Sequence, residues 1–218
     1  MRKFIVGITG RTGTTIYALW LDAALPYDIT KIQSEIHWSH AGGQPDWSQP
    51  IQHTHQFNLF TDAPMEFERV WARRNYFDTV ISKIIAEKTN TYHIFSKDSA
   101  AGYQEKYKDA KFYIDVDDFK DKLQIEENIS VGVKEWQAKT NCRIIELFYH
   151  LHSVSPEAFY NAVGLPMSDN IPQWPQPMSV NKIELVSNLN ELIEIYHKTD
   201  SLFDVEKNSV IAQYSLPR

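Results

Sequence analysis

One cysteine, Cys142, is all that the chain of 218 residues contains. A lone thiol excludes an intramolecular disulfide framework, and nothing in the cysteine usage points to an oxidising compartment. Long apolar runs are missing as well. The stretch "MRKFIVGITGRTG" (1–13) starts basic, but its apolar run covers only residues 4–6, too short for a signal peptide. No other stretch is long enough to span a membrane. The expectation is a cytoplasmic chain with no membrane partner. An excess of positive charge is also absent: Lys+Arg number 22 against 28 Asp+Glu, a net charge of −6. That argues against a general nucleic-acid binder, which carries a basic patch or stripe. Any anionic ligand has to be held by local positive groups. Internal repeats and low-complexity tracts are lacking too.

What is present is ordinary for a globular protein: 43% hydrophobic and 23% charged residues, in a chain long enough to bury one sizeable core. Aromatic residues make up 13%, and two of the six tryptophans lie in proline-containing stretches, "GGQPDWSQP" (42–50) and "IPQWPQP" (171–177). These stretches read as ordered loops.

Apolar patterning predicts strands over 3–8, 51–57, 67–74 and 142–151, and helices over 14–25, 76–89, 115–140, 155–166 and 181–203. In the first helix Ile16, Leu19 and Trp20 share a face; in the second, Val80, Ile81, Ile84 and Ile85 do. The long helix has a possible break near Gly132, residues 29–50 fit no single element, and 90–112 read as irregular. Strands alternating with helices imply a parallel sheet covered on both faces, hence an α/β three-layer sandwich. The expectation is a single domain over 1–218, with the C-terminal helical segment (181–218) packed on it. Ligands in such sheets bind at the carboxyl ends of the strands.

The stretch "GITGRTGTT" (7–15) follows the first strand and opens the first helix. Glycines there let backbone N–H groups face a phosphate, and the helix N-terminus adds partial positive charge. The usual nucleoside-triphosphate loop ends G-K-[ST], but here Thr14 follows Gly13 and no lysine is present. The plain alternative is a strand-to-helix turn that uses Gly10 and Gly13 for geometry.

Two further stretches bear on that choice. "RRNYFDTVIS" (73–82) sets Arg74 at a strand end and Ser82 eight residues on, and "HTH" (53–55) puts two histidines on one face of the presumed strand. With these, the chain resembles the sulfotransferases that use 3′-phosphoadenosine 5′-phosphosulfate (PAPS). "GRTGTT" (10–15) is similar to the arginine version of their first motif. "RNYFDTVIS" matches Arg74, Asn75, Asp78 and Ser82 of the second, with Tyr76 in place of proline. "HTH" resembles their K-T-H, with His53 in place of lysine. "FYHLHSVSPEAFYNAVGLP" (148–166) resembles a later stretch that ends G-L-P. The resemblance runs over about residues 3–166 in the family's order, and it implies a P-loop NTPase-like topology. The R-K-G-x-x-G stretch of cytosolic members is missing, and Ile16 stands where an aromatic often follows T-T.

The resemblance implies PAPS as co-substrate and adenosine 3′,5′-bisphosphate (PAP) as product. Arg11, Thr12, Gly13, Thr14 and Thr15 would hold the 5′-phosphosulfate, with Arg11 at the bridging oxygen. Arg74 and Ser82 would bind the 3′-phosphate. His55 would be the base, and His53 would hold the transferring sulfonyl group in place of the family's lysine. Glu35 is the alternative base. The acceptor, a small molecule, glycan or peptide, would offer a hydroxyl or amine. Loops 36–50, 92–105 and 168–180, with Trp38, Trp47 and Trp174, would line its pocket, although tryptophans also pack loops onto cores.

No metal is needed. His37, His40, His53 and His55 lie close in sequence without diagnostic ligand spacing. His150 and His152 read as structural, Asp78 as a helix-start residue, and "DVDDFKD" (115–121) as a solvated helix start. Two other classes stay open: a small-molecule kinase with a degenerate loop, and a non-catalytic nucleotide-binding protein of the same fold.

Overall fold

Phe4, Ile5 and Val6 are apolar in succession, as a strand covered on both faces must be. All three are buried in β1 (Lys3–Gly7). The computed structural model describes residues 2–8, 14–25, 36–39, 45–91, 97–172, 182–201, 203, 204 and 207, with 36–39 and 97–100 by backbone alone. Strands β2 (Ile36–Ser39), β3 (Ile51–Thr54), β4 (Phe67–Arg73) and β5 (Ile144–Phe148) join β1 in one five-stranded sheet, in the order β2-β3-β1-β4-β5. Every pairing is parallel, with Val6 beside His53, Gly7 beside Trp71, and Arg73 beside Phe148. The protein is therefore an α/β protein built on a parallel sheet flanked by helices.

The helices are α1 (Thr14–Ala24), α2 (Phe57–Asp62), α3 (Tyr76–Thr89), α4 (Lys97–Tyr107), α5 (Val116–Thr140), α6 (Tyr149–His152), α7 (Pro156–Val163) and α8 (Leu189–Lys198), with a 3₁₀ turn over Lys182–Leu185. Among the described residues no helix is long and apolar enough to cross a membrane. The elements fall into two compact units: Met1–Arg74 with Val131–Pro172, and Asn75–Ser130 with Gln173–Arg218.

The first unit holds the sheet. From β1 the chain passes through α1 to β2, two places to one side; from β3 it passes through α2 to β4, two places to the other. Crossovers between parallel strands are right-handed, so opposite directions put α1 and α2 on opposite faces. Tyr17 and Trp20 of α1 pack on Phe159 of α7, at ring-centroid distances of 5.4 and 5.2 Å. On the other face, Arg69 of β4 lies 4.8 Å from the Trp136 ring of α5 and bonds carbonyls at the end of α2. The buried stripe of α1 is Ile16, Tyr17, Trp20 and Leu21, whereas Leu19, expected to face inward, is half-exposed. Helix α5 runs through Gly132 without the expected break. A Cβ there would come within 3.1 Å of the Phe57 ring, so the glycine serves close packing against α2.

The second unit is helical. Val80, Ile81, Ile84 and Ile85 of α3 are buried as expected, in a core with Phe119 and Leu123 of α5 and Leu192 and Tyr196 of α8. Helix α3 starts where the sequence predicts. Asn75 accepts from the Asp78 N–H at 2.8 Å and its amide donates to the Asp78 carboxylate at 3.0 Å, so Asp78 is the helix-start residue it was read to be. Two expectations are corrected here. Part of 90–112 is not irregular but forms α4. The segment 181–203 is not one helix: its start is a 3₁₀ turn, Val186 then bridges to Phe112, and only Leu189–Lys198 is α-helical.

Candidate active site

In a parallel sheet the ligand crevice opens where loops leave neighbouring strands toward opposite faces. Here that place is the carboxyl edge between β1 and β3, whose following helices, α1 and α2, take opposite faces. The stretch expected to grip an anion leads into α1 at this edge. Arg11, Thr12 and Gly13 lie outside the described residues. Thr14 is the first residue of α1 and 2% exposed, and Thr15 is half-buried. The first N–H groups of a helix have no partner within it and carry partial positive charge, which a nearby hydroxyl extends.

The two expected histidines part company. Strand β3 ends at Thr54, whose hydroxyl accepts from the Gln56 N–H at 3.0 Å. The presumed strand over 51–57 is therefore shorter, and His55 stands just beyond it, exposed. His53 lies within the strand and is 0% exposed. Its Nε2 is 3.0 Å from Thr14 Oγ1, so β3 and the start of α1 are tied side chain to side chain. The two imidazoles meet edge to face, with centroids 4.8 Å apart. Thr14, His53 and His55 thus form one cluster at the crevice. An exposed imidazole there can accept a proton near neutral pH, beside a helix N-terminus suited to an anion.

At the end of β4 stand two arginines in different surroundings. Arg73 donates to Glu146 at 2.6 Å and lies 4.4 Å over the Trp71 ring. Lys134 of α5 also donates to Glu146. Burial would raise the Glu146 carboxyl, but hydrogen bonds from Lys134 and Arg73 outweigh it and hold the group below its ordinary value. Arg74 instead places its guanidinium 4.8 Å over the ring of Tyr149, at the start of α6, beyond the carboxyl end of β5. In the neighbouring turn His152 Nδ1 accepts from the Phe148 N–H at 2.9 Å, the structural part expected of it.

Ser82 belongs to the second unit, on α3, and is 4% exposed. Lys182 Nζ donates to its hydroxyl at 3.2 Å and to its carbonyl at 3.4 Å. Sequence reasoning passed over Lys182. It lies 100 residues from Ser82 in a stretch read as plain helix, and no spacing rule links the two.

Of the acceptor-pocket expectations, one is overturned. Trp47 packs on Phe67 at the amino end of β4, centroids 5.4 Å apart, and its carbonyl accepts from Lys3 at the start of β1. It therefore sits at the edge of the sheet away from the crevice. Glu35, His40, Trp174 and the side chains of His37 and Trp38 lie outside the described residues. Among the described residues no group of three or more His, Cys, Asp or Glu is placed to hold a metal ion. Neither family models, nor curated proteins, nor solved structures match this chain.

Proposed function

We propose that the protein is a PAPS-dependent sulfotransferase, moving a sulfonate group to a hydroxyl or amine. The observation that carries this reading is the crevice between β1 and β3, where the start of α1, Thr14, His53 and His55 meet. The strand order β2-β3-β1-β4-β5, with a glycine-containing sequence following the central strand, supports a P-loop-like topology.

PAPS supplies the sulfonyl group and a phosphate leaving group. His55, exposed at the crevice, takes the proton from the acceptor as its oxygen or nitrogen attacks sulfur. The bond between sulfur and the bridging oxygen breaks, and its electron pair stays on the phosphate. Arg11 and the start of α1 meet the charge that grows there, a contribution of about 3–4 kcal/mol per well-placed donor. The sequence resemblance, Arg74 and Ser82 eight residues apart, carries the assignment of the 3′-phosphate.

The test is calorimetric titration with adenosine 3′,5′-bisphosphate, ATP and AMP in parallel. Selective binding of the bisphosphate, followed by sulfonate transfer from PAPS in an acceptor screen, is the expected result. Preference for ATP would turn the assignment to a kinase. In the active enzyme, His55→Ala should cut turnover by about 10²–10⁴ and leave bisphosphate affinity nearly unchanged. Retained turnover would move the base to Glu35 or elsewhere.

A further inference from the structure

The buried contact between His53 and Thr14 says more than that two side chains touch. His53 is 0% exposed and Thr14 2%. The Nε2 of this ring is engaged by Thr14 Oγ1 at 3.0 Å, so that nitrogen is already committed and does not take the part of the family's lysine on a sulfonyl group. Thr14 does stand at the crevice, as the first residue of α1. A threonine hydroxyl has one proton and two lone pairs. If His53 Nε2 is bare, Thr14 gives it that proton and turns only lone pairs toward an anion. If Nε2 carries a proton, Thr14 accepts it at 3.0 Å, and the hydroxyl proton points outward. Only the second arrangement welcomes an oxyanion.

We propose that His53 is a positioning residue: its Nε2–H donates to Thr14 Oγ1 and so commits the threonine proton to an oxyanion of the co-substrate at the start of α1. This rests on the sulfotransferase reading. It replaces the direct contact implied by the family's lysine with an indirect one, and it explains how a shorter side chain serves at that place. The neutral ring suffices, since what matters is which nitrogen bears the proton.

The test measures adenosine 3′,5′-bisphosphate affinity by calorimetry for the wild type, His53→Leu, Thr14→Val, the double variant and His53→Gln, with thermal melts to confirm folding. A hydrogen bond to a charged group is worth roughly tenfold or more in affinity. His53→Leu and Thr14→Val should each lose about tenfold, and the double variant no more than either, because the two act as one unit. His53→Gln, whose amide can donate, should recover most of the loss. In ¹⁵N spectra of the complex, His53 Nε2 should be the protonated nitrogen. A merely structural contact would fix the same tautomer but would not cost bisphosphate affinity in a variant that melts like the wild type.

A bare Nε2 in the complex, or losses that multiply in the double variant, would overturn the proposal. If the wild type binds the bisphosphate and His53→Leu binds it equally well, this inference falls and the sulfotransferase reading stands. If the wild type binds no bisphosphate, both fall.

Discussion

Arg69 donates to four main-chain carbonyls: Phe60 at 3.2 Å, Phe67 at 2.9 Å, Thr61 at 3.3 Å and Ala63 at 2.5 Å. The carbonyls of the last turn of a helix have no partner within it, and Arg69 satisfies them at the end of α2 from the neighbouring strand. Burial lowers its pKa from the ordinary arginine value, yet an arginine stays charged. Arg69→Met should therefore cost about 3 kcal/mol, because it strands buried acceptors. Thermal melts should show it, with Arg69→Lys recovering only part, since one ammonium reaches fewer carbonyls than a planar fork. Arg74 is a different case, since its expected loss is in binding. Arg74→Ala should weaken adenosine 3′,5′-bisphosphate far more than AMP, as read by calorimetry. Equal losses would show that Arg74 does not serve the 3′-phosphate.

Helix α3 shows how an element can be held from far along the chain. Its first residue, Tyr76, donates its N–H to Asp204 Oδ1 at 2.9 Å, and the Tyr196 hydroxyl donates to the other carboxylate oxygen. Burial pushes the Asp204 carboxyl from its ordinary 3.8 up to about 6, outweighing the hydrogen bonds from Tyr196 and Tyr76 and the nearby Lys207; Glu127 pushes the same way as burial. In this window the folded chain binds a proton that the unfolded chain has released. The Asp204 contribution is thus full below about pH 4 and is lost as pH rises through about 6, after which it is flat. The melting temperature of the wild type relative to Asp204→Asn should fall between pH 4 and 6. A constant difference would show that Asp204 does not titrate there.

The same scale separates what the sequence could reveal from what it could not. Helix α7 was readable because Ser155 caps it, accepting from the Ala158 N–H, Pro156 opens it, and Gly164 closes it at φ 65. Helix α3 was readable through its buried stripe and the Asn75–Asp78 pair. Helix α2 was hidden because "IQHTHQF" keeps strand-like alternation past Thr54, and the turn that ends the strand is a single hydroxyl contact. Helix α4 has few apolar residues, with Tyr103 buried among exposed neighbours, so no period is visible. At the candidate site, residue types and their order were legible. That one histidine is buried and the other exposed was not, because it depends on where β3 stops. Lys182 was illegible, since its contact with Ser82 exists only through the fold.

For the whole molecule, ligand binding and stability are one measurement. A ligand that binds only the folded chain adds about 2.7 kcal/mol at a hundred times its dissociation constant. Adenosine 3′,5′-bisphosphate should raise the melting temperature at concentrations where AMP does not. An equal shift with both would place the recognised groups in the nucleoside and 5′-phosphate alone. The division of the chain also has a consequence in time. β4 pairs with β5, Val70 beside Ile145, yet residues 75–130, which belong to the other unit, are made between them. On the ribosome, β4 waits as an open strand edge while those residues emerge. An open edge invites pairing with other chains, so the interval before β5 arrives is when the nascent protein is most exposed to aggregation.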